Sequence, residues 1–354
     1  MDTYSKGGID DPLKALVTPR NATQPKTKET IVIDNANRTA LVTGASSGLG
    51  LETSALLAED GFGRVIITAR TAAKADAARQ SLLARTGADV FETLTLDNDH
   101  LSTVEAAAEE LARRGGQIDV LVLNAGIVPG SDLVKTADGL EATVASTLIG
   151  HHLLTMRLIE KGLIGDAARI VISGSEAARG DVPTFNPLDV DSFAAEHFNG
   201  DMEAAIEAQI RMEPPAKHKA GSTYATAKQF VVWWAAELAR TLPAGVTVNA
   251  VSPGSTPETE AGRNAPFYMK RVMMPVLKLV PGMSHSLADG AGRYIEVAGY
   301  GDDITGKFFA SKPKKMTGPI EEVRLDHLDN PAAQQALWNV TTKVAGGVGY
   351  PARH

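Results

Sequence analysis

TALVTGASSGLG, at residues 39–50, is the stretch of this chain that decides its fold class. Its first half is a short apolar run that ends in a glycine, and this length and these flanks predict a buried strand. The segment that follows, residues 51–61, has the apolar spacing typical of a helix and stops at a glycine. A strand, a glycine-rich turn and a helix in this order predict a unit that holds a phosphate on the exposed N–H groups of the helix start.

Strands and helices alternate along the chain beyond this turn. Apolar, β-branched runs predict further strands at 64–70, 90–97, 118–126, 168–175 and 246–254. Helical spacing predicts helices at 72–85, 103–116 and 138–162 and from Tyr224 to Pro243. This rhythm predicts an α/β fold with a Rossmann-type, doubly wound parallel sheet.

The predicted organisation is a single domain with additions. Residues 1–36 show little periodicity and predict a flexible N-terminal extension, residues 37–312 form the Rossmann domain, and residues 313–354 form a C-terminal tail with a terminal helix. Two long stretches, 176–221 and 255–300, interrupt the alternation, and the first contains an amphipathic helix. Long additions at one edge of such a sheet usually build a pocket wall, so both are expected to line a substrate pocket.

Composition excludes several classes of protein. The net charge of -7 gives no reason to expect a nucleic-acid partner, and the absence of cysteine excludes disulfides, thiolate catalysis and cysteine-based metal sites. Apolar runs are shorter than the roughly 18 residues that a membrane-spanning helix needs, and the N-terminus lacks an apolar signal core. We therefore expect a soluble, cytoplasmic protein that acts on a small molecule and holds no metal.

The end of the second predicted strand favours one nucleotide over another. Arg70 stands there, and a guanidinium suits a 2′-phosphate but offers nothing special to a free ribose hydroxyl. NADP(H) is therefore expected rather than NAD(H), with Asp97 and Asn98 placed to bind adenine. The turns at these strand ends supply the candidate cofactor-binding residues Thr43, Gly44, Ser46, Ser47, Gly48, Leu49, Gly50, Arg70, Asp97, Asn98, Asn124, Ala125 and Gly126.

YATAK, at residues 224–228, places a tyrosine and a lysine one helical turn apart on the same face. A free tyrosine has a pKa of about 10, too high for efficient proton transfer at neutral pH. A nearby ammonium favours tyrosinate, so Lys228 is expected to lower the pKa of Tyr224. The same lysine is also within reach of the ribose of a bound dinucleotide.

These motifs together carry a family resemblance. TGASSGLG, LDND, LNAG, ISGS, YATAK and VNAVSPG occur in the order and sheet positions of the short-chain dehydrogenase/reductase family, over roughly residues 37–310. TADGLE (136–141) with GHHLLT (150–155), and residues 288–315 with 336–346, are similar to the retinol dehydrogenase and protochlorophyllide reductase branch. The long segment before YATAK resembles the insertion of monomeric carbonyl reductases.

The resemblance implies roles for individual residues. Tyr224 is implied as the general acid/base, Lys228 as its partner and Ser175 as the residue that holds the substrate oxygen. Thr147 stands where relatives place an asparagine, and its role is open. Relatives bind the nicotinamide with a threonine after SPG; the spacing here is shifted, so the implied contacts are Pro253, Gly254 and either Thr256 or Thr259.

The expected function is an NADP-dependent short-chain alcohol dehydrogenase or carbonyl reductase. Reduction of a C=C bond in an enone is an alternative, and a non-catalytic dinucleotide sensor or scaffold is an alternative of another class. The apolar residues Phe267, Met269, Met273 and Met274 suggest a bulky apolar substrate, although such residues also fill cores. The insertion favours a monomer, whereas Trp233 and Trp234, on the helix that many relatives use for association, favour a homodimer.

Overall fold

The computed structural model of the chain describes Met1, residues 35–256 and residues 284–349. The predicted extension at 1–36 therefore lies almost entirely outside the described residues, as does much of the predicted insertion at 255–300.

Among the described residues, eight strands form one sheet with the order β3-β2-β1-β4-β5-β6-β7-β8. The strands are β1 Thr39–Val42, β2 Arg64–Ala69, β3 Phe91–Thr95, β4 Ile118–Leu123, β5 Ile164–Ser173, β6 Thr247–Val251, β7 Phe308–Ser311 and β8 Ile320–Glu322. All neighbouring strands in this set are parallel except β7 and β8. The strand order changes direction between β1 and β4, the point at which such sheets bind ligands. The predicted Rossmann-type sheet is confirmed.

Helices connect and cover the strands. Their bounds are α1 Gly48–Glu59, α2 Ala72–Thr86, α3 Leu101–Arg114, α4 Ala142–Val144, α5 Gly150–Glu160, α6 Val190–His197, α7 Met202–Arg211, α8 Ala220–Ala239, α9 Leu287–Ala298 and α10 Pro331–Val344. A π-helical segment, Ala145–Ile149, joins α4 to α5. Within the part of the chain described here, no helix combines the length and the apolar character required to cross a membrane.

The two faces of the sheet carry separate apolar cores because side chains along a strand alternate in direction. In β1, Leu41 packs in the core that contains residues of α3, α5 and α8. Ala40 and Val42 pack in the other core, with residues of α1, α2 and α9. All four residues of β1 are buried, as expected for a strand covered by helices on both faces.

The two tryptophans of α8 are buried within this chain. The indole of Trp233 donates to the carbonyl of His327 at 2.9 Å, and that of Trp234 donates to Nδ1 of His152 at 3.0 Å. The other nitrogen of His152 donates to the carbonyl of Val348 at 2.8 Å, so these contacts hold the C-terminal region on α8. Burial within one chain removes the argument for a homodimer that the tryptophans offered, and monomer or homodimer stays a prediction.

Gly150, the first residue of α5, packs against Asn98 in the loop that follows β3. A Cβ at Gly150 would lie 2.5 Å from the carbonyl oxygen of Asn98, whereas a Cβ at Gly292 in α9 would meet nothing within 4 Å. Gly150→Ala is expected to lower the free energy of unfolding by about 1–3 kcal/mol through overpacking. Gly292→Ala, the matched control, is expected to raise it by up to about 1 kcal/mol through helix propensity. Urea unfolding measures both; equal effects would contradict the close contact at Gly150.

Candidate active site

A cleft of about 420 Å³ lies at the carboxyl ends of the central strands. Most of the predicted site residues line it: Gly44, Ser46, Ser47, Gly48, Leu49, Arg70, Asp97, Asn98, Asn124, Ala125, Gly126, Ser175, Tyr224, Lys228, Pro253, Gly254 and Thr256. Three predicted residues, Thr43, Gly50 and Thr147, are described but do not line the cleft. Thr259 and the apolar set at Phe267, Met269, Met273 and Met274 lie outside the described residues.

The glycine turn forms one end of the cleft. Gly44 and Gly48 have φ of 65° and 58°, in the left-handed region that favours glycine. A Cβ at Gly44 would lie 2.9 Å from Cα of Ala125, so the turn and the β4 end approach closely. The N-cap of α1, Ser47, makes no side-chain capping bond, which leaves N–H groups of the helix start available. This cradle fits a dinucleotide phosphate.

Gly50 does not line the cleft but allows close packing beside it. A Cβ at this position would lie 2.5 Å from the carbonyl oxygen of Gly44 and 2.6 Å from the side-chain nitrogen of Asn124. The missing side chain therefore allows α1 to start close to the turn.

Thr43 is buried, does not line the cleft, and is the centre of a hydrogen-bond cluster that we call the Thr43 hub. Its hydroxyl oxygen accepts from the backbone N–H groups of Asn124 at 2.9 Å and Ala125 at 3.0 Å. It also lies 2.9 Å from Nε2 of His151, whose Nδ1 lies 2.9 Å from the carbonyl oxygen of Thr147. A carbonyl only accepts, so Nδ1 carries the proton and Nε2 accepts from the Thr43 hydroxyl. Burial lowers the pKa of His151 to about 3, which keeps the ring neutral.

Thr147 lies in the π-helical segment and faces the glycine that follows β4. A Cβ at Gly126 would lie 3.0 Å from the Thr147 hydroxyl oxygen. Among the described residues, this buried hydroxyl has no hydrogen-bond partner. The side chain of Thr147 does not line the cleft itself, and a catalytic role for it stays a prediction.

The implied catalytic residues meet at the end of β5. Ser175 follows this strand by two residues and caps a short 3-10 turn, Glu176–Arg179, by accepting from the N–H of Ala177 at 3.2 Å. Tyr224 and Lys228 lie one turn apart on α8, with the Lys228 ammonium 5.8 Å from the centre of the Tyr224 ring. Lys228 donates to the carbonyl of Ser173 at 2.7 Å. Ser175 is thereby brought into the same cleft as Tyr224 and Lys228, although it lies far from them in the sequence.

Burial is the largest cause of the pKa shifts of Tyr224 and Lys228. It raises the pKa of Tyr224 above the usual tyrosine value, although a hydrogen bond with Ser175 acts in the opposite direction. It also lowers the pKa of Lys228 to about 7. The expected lowering of the Tyr224 pKa by Lys228 is therefore wrong here: desolvation, which the helical spacing cannot reveal, raises this pKa, and the negative charge of Glu176 acts in the same direction.

Several residues that line the cleft were not predicted from the sequence. Lys74, in the first turn of α2, joins Arg70 in the wall, and their spacing of four residues was the available signal. Asp99 lies near both Arg70 and Asp97, and burial is the main cause that raises its pKa to about 6. Phe185, from the segment 176–221, lies with its ring centre 5.8 Å from that of Tyr224.

Comparison with known proteins agrees with this geometry. A family model described as short chain dehydrogenase matches residues 38–198. Over 314 residues the chain is 28% identical to retinol dehydrogenase 13 of Homo sapiens, and the alignment covers 87% of this chain and 85% of that protein. These matches support the assignment of the chain to the short-chain dehydrogenase/reductase family. The resemblance to this oxidoreductase family is thereby confirmed.

Further proteins are similar to this chain to a comparable degree. A WW domain-containing oxidoreductase of Drosophila melanogaster is 29% identical over 318 residues, covering 87% of this chain and 68% of that protein. Among solved structures, a blue fluorescent protein from a metagenomic library, in complex with NADPH, has a TM-score of 0.55 and 25% identity. That match covers 77% of this chain and 96% of the other.

The Thr43 hub gives the second prediction. Thr43→Val keeps the shape but leaves the Ala125 amide and Nε2 of His151 without their partner, so the free energy of unfolding should fall by about 1–3 kcal/mol. The control is Thr53→Val, since that hydroxyl donates to a helix carbonyl, of Leu49, and its loss should cost about 1 kcal/mol or less. Urea unfolding of the two variants decides; a Thr43 effect no larger than that of Thr53 would show that the hub is not structurally important.

Proposed function

We propose that this chain is an NADP(H)-dependent oxidoreductase that interconverts an alcohol and a ketone or aldehyde. One observation carries the proposal: Ser175, Tyr224 and Lys228 line the same cleft as the glycine turn and two cations. A cleft with a phosphate cradle at one end and a proton-transfer pair at the other suits hydride transfer accompanied by proton transfer.

The residues present fit the dinucleotide. The glycine turn and the start of α1 would hold the pyrophosphate, because their N–H groups and the helix dipole favour negative charge. Arg70 and Lys74 would hold a 2′-phosphate, with the donors of Ser46 close by in the turn. The NADPH in the related blue fluorescent protein supports the same assignment. When bound, the cofactor supplies or accepts the hydride.

Proton transfer is assigned to Tyr224. Its raised pKa keeps the phenol protonated at neutral pH, which suits donation to the oxygen of a carbonyl substrate during reduction. Ser175 would hold that oxygen by a hydrogen bond as negative charge develops. The Lys228 ammonium, held by Ser173, lies close enough to stabilise the tyrosinate that remains. In oxidation the same tyrosinate takes the proton from the alcohol.

The walls beside Tyr224 favour an apolar substrate. Phe185 covers one side of the tyrosine ring, and Ile127 and Val128 extend from the end of β4 into the same cleft. Such side chains exclude water from the reacting groups and gain free energy when they bury an apolar surface. We therefore assign a bulky apolar or aromatic carbonyl compound as the substrate class.

Tyr224→Phe tests the assignment of the proton donor. Turnover of an aromatic ketone, followed by NADPH absorbance, should fall by about 10²–10⁴-fold because the general acid is lost. NADPH affinity, measured by calorimetry, should stay nearly unchanged. Tyr300→Phe is the control, because that hydroxyl donates to Glu296 and its residue does not line the cleft. Retained turnover in Tyr224→Phe would refute this mechanism.

Arg70→Ala and Lys74→Ala test the preference for the 2′-phosphate. Each removes a charge-assisted hydrogen bond, so the dissociation constant of NADPH should rise about tenfold or more while that of NADH barely changes. Lys161→Ala, which removes a half-buried cation paired with Glu109 outside the cleft, should leave both dissociation constants unchanged. Equal losses for NADPH and NADH would rule out these residues as the 2′-phosphate site.

A further inference from the structure

A buried carboxylate stands directly beside the candidate catalytic serine. Glu176 follows Ser175, begins the 3-10 turn and lines the cleft, yet the residue is only 1% exposed. A buried carboxylate is costly unless it is paired and hydrogen-bonded. The mechanism proposed above gives it no task, so its partners are informative.

Its main partner is an equally buried arginine. Nη1 of Arg293, a residue of α9 that is 4% exposed, lies 3.4 Å from Oε1 of Glu176. The same oxygen accepts from the Ser311 hydroxyl at 3.0 Å, and Ser311 accepts from Nη2 of Arg293 at 2.9 Å. Arg293 also donates to the carbonyl of Gly318 at 2.7 Å. This Glu176–Arg293 pair therefore has several hydrogen bonds in addition to its charge attraction.

The pair also holds the turn at residues 252–254. The Ser252 hydroxyl donates to Oε2 of Glu176 and accepts from the N–H of Gly254 at 3.1 Å, and Nη1 of Arg293 donates to the Ser252 carbonyl at 2.9 Å. Gly254 has a φ of 77°, and a Cβ there would lie 2.7 Å from the carbonyl oxygen of Met316. Both ends of the turn are therefore fixed, one through the Ser252 side chain and carbonyl and the other through close packing.

This arrangement links two walls of the cleft. Glu176 is bonded covalently to Ser175, while its carboxylate holds the turn that presents Pro253 and Gly254 to the same cleft. The glycine turn and Arg70 lie at the other end of the cleft. Within the described residues, neither forms a hydrogen bond with Glu176 or Arg293. The hydrogen bonds of the pair therefore reach the half of the cleft that is formed by Ser175 and the turn at residues 252–254.

We propose that Glu176 is a positioning residue that sets the 252–254 turn relative to Ser175. This inference rests on the proposed function and on the contact of Pro253 and Gly254 with the nicotinamide half of the cofactor, which the family resemblance implies. The carboxylate held by Arg293 then determines where that half lies relative to the substrate oxygen. The adenine half, held by the glycine turn and the two cations, is independent of it.

Two variants separate this role from simple core stability. Glu176→Gln removes the negative charge opposite Arg293. If the new NH₂ group faced Ser252, it would donate to the Ser252 hydroxyl, which already accepts from the N–H of Gly254. Ser252→Ala removes only the hydroxyl that joins the carboxylate to the turn and keeps the ion pair, so it guards against failure of the first variant to fold. Glu92→Gln, which changes the Arg64–Glu92 pair outside the cleft, is the control.

The experiment is calorimetric binding of NADPH and of adenosine 2′,5′-bisphosphate, which carries only the adenine half. For Glu176→Gln and Ser252→Ala, the dissociation constant of NADPH should rise about tenfold while that of the bisphosphate changes by less than about twofold. Glu92→Gln should change neither. Unchanged NADPH binding, or equal losses for both ligands, would overturn the positioning role.

Binding to the wild-type protein distinguishes a failure of the proposed function from a failure of the positioning role of Glu176. If it binds neither NADPH nor the bisphosphate, the proposed function fails, and the inference fails with it. If it binds both and the variants bind them equally well, only the inference about Glu176 fails.

Discussion

The hydrogen bond from the Lys228 ammonium to the Ser173 carbonyl, 2.7 Å long and buried, joins the longest described helix to the centre of the sheet. An ammonium without such a partner would be costly to bury, so the bond fixes how α8 lies on the end of β5. Tyr224 lies one helical turn before Lys228 on α8. Ser175 lies two residues after Ser173, the last residue of β5. The relative position of the proposed proton donor and the proposed oxygen-binding serine therefore depends on this bond.

Burial at this junction also determines the state of the site. It raises the pKa of Tyr224 and lowers that of Lys228 to about 7, so the phenol keeps its proton near neutral pH while the lysine is poised to change charge. A site of this kind is prepared to donate a proton to a developing alkoxide. The positive charge at Arg70 and Lys74 lies at the other end of the same cleft, which gives an elongated ligand one orientation.

The parts predicted from the sequence are those that depend on local pattern. Alternating apolar runs and helical spacing predicted the parallel sheet, and the glycine turn and YATAK were predicted as parts of one site because their sequence contexts are specific. The residues missed depend on contacts between distant segments: Glu176 meets Arg293 across 117 positions, and the Thr43 hydroxyl meets His151 across 108. Burial, which reversed the expected pKa direction of Tyr224, is likewise a property of the packed molecule. The short strands β7 and β8 escaped prediction, whereas β1, which is as short as β7, was predicted because a glycine turn follows it.

In the proposed reaction NADPH supplies a hydride to a carbonyl carbon and Tyr224 supplies a proton to its oxygen. The most direct measurement uses NADPH deuterated at both C4 positions of the nicotinamide and an aromatic enone, which offers a C=O and a C=C bond to the same enzyme. Mass spectrometry and NMR locate the label in the product. The expected product is an allylic alcohol with deuterium on the carbinol carbon. Deuterium on the former double bond, or no transfer from NADPH, would contradict the proposed reaction.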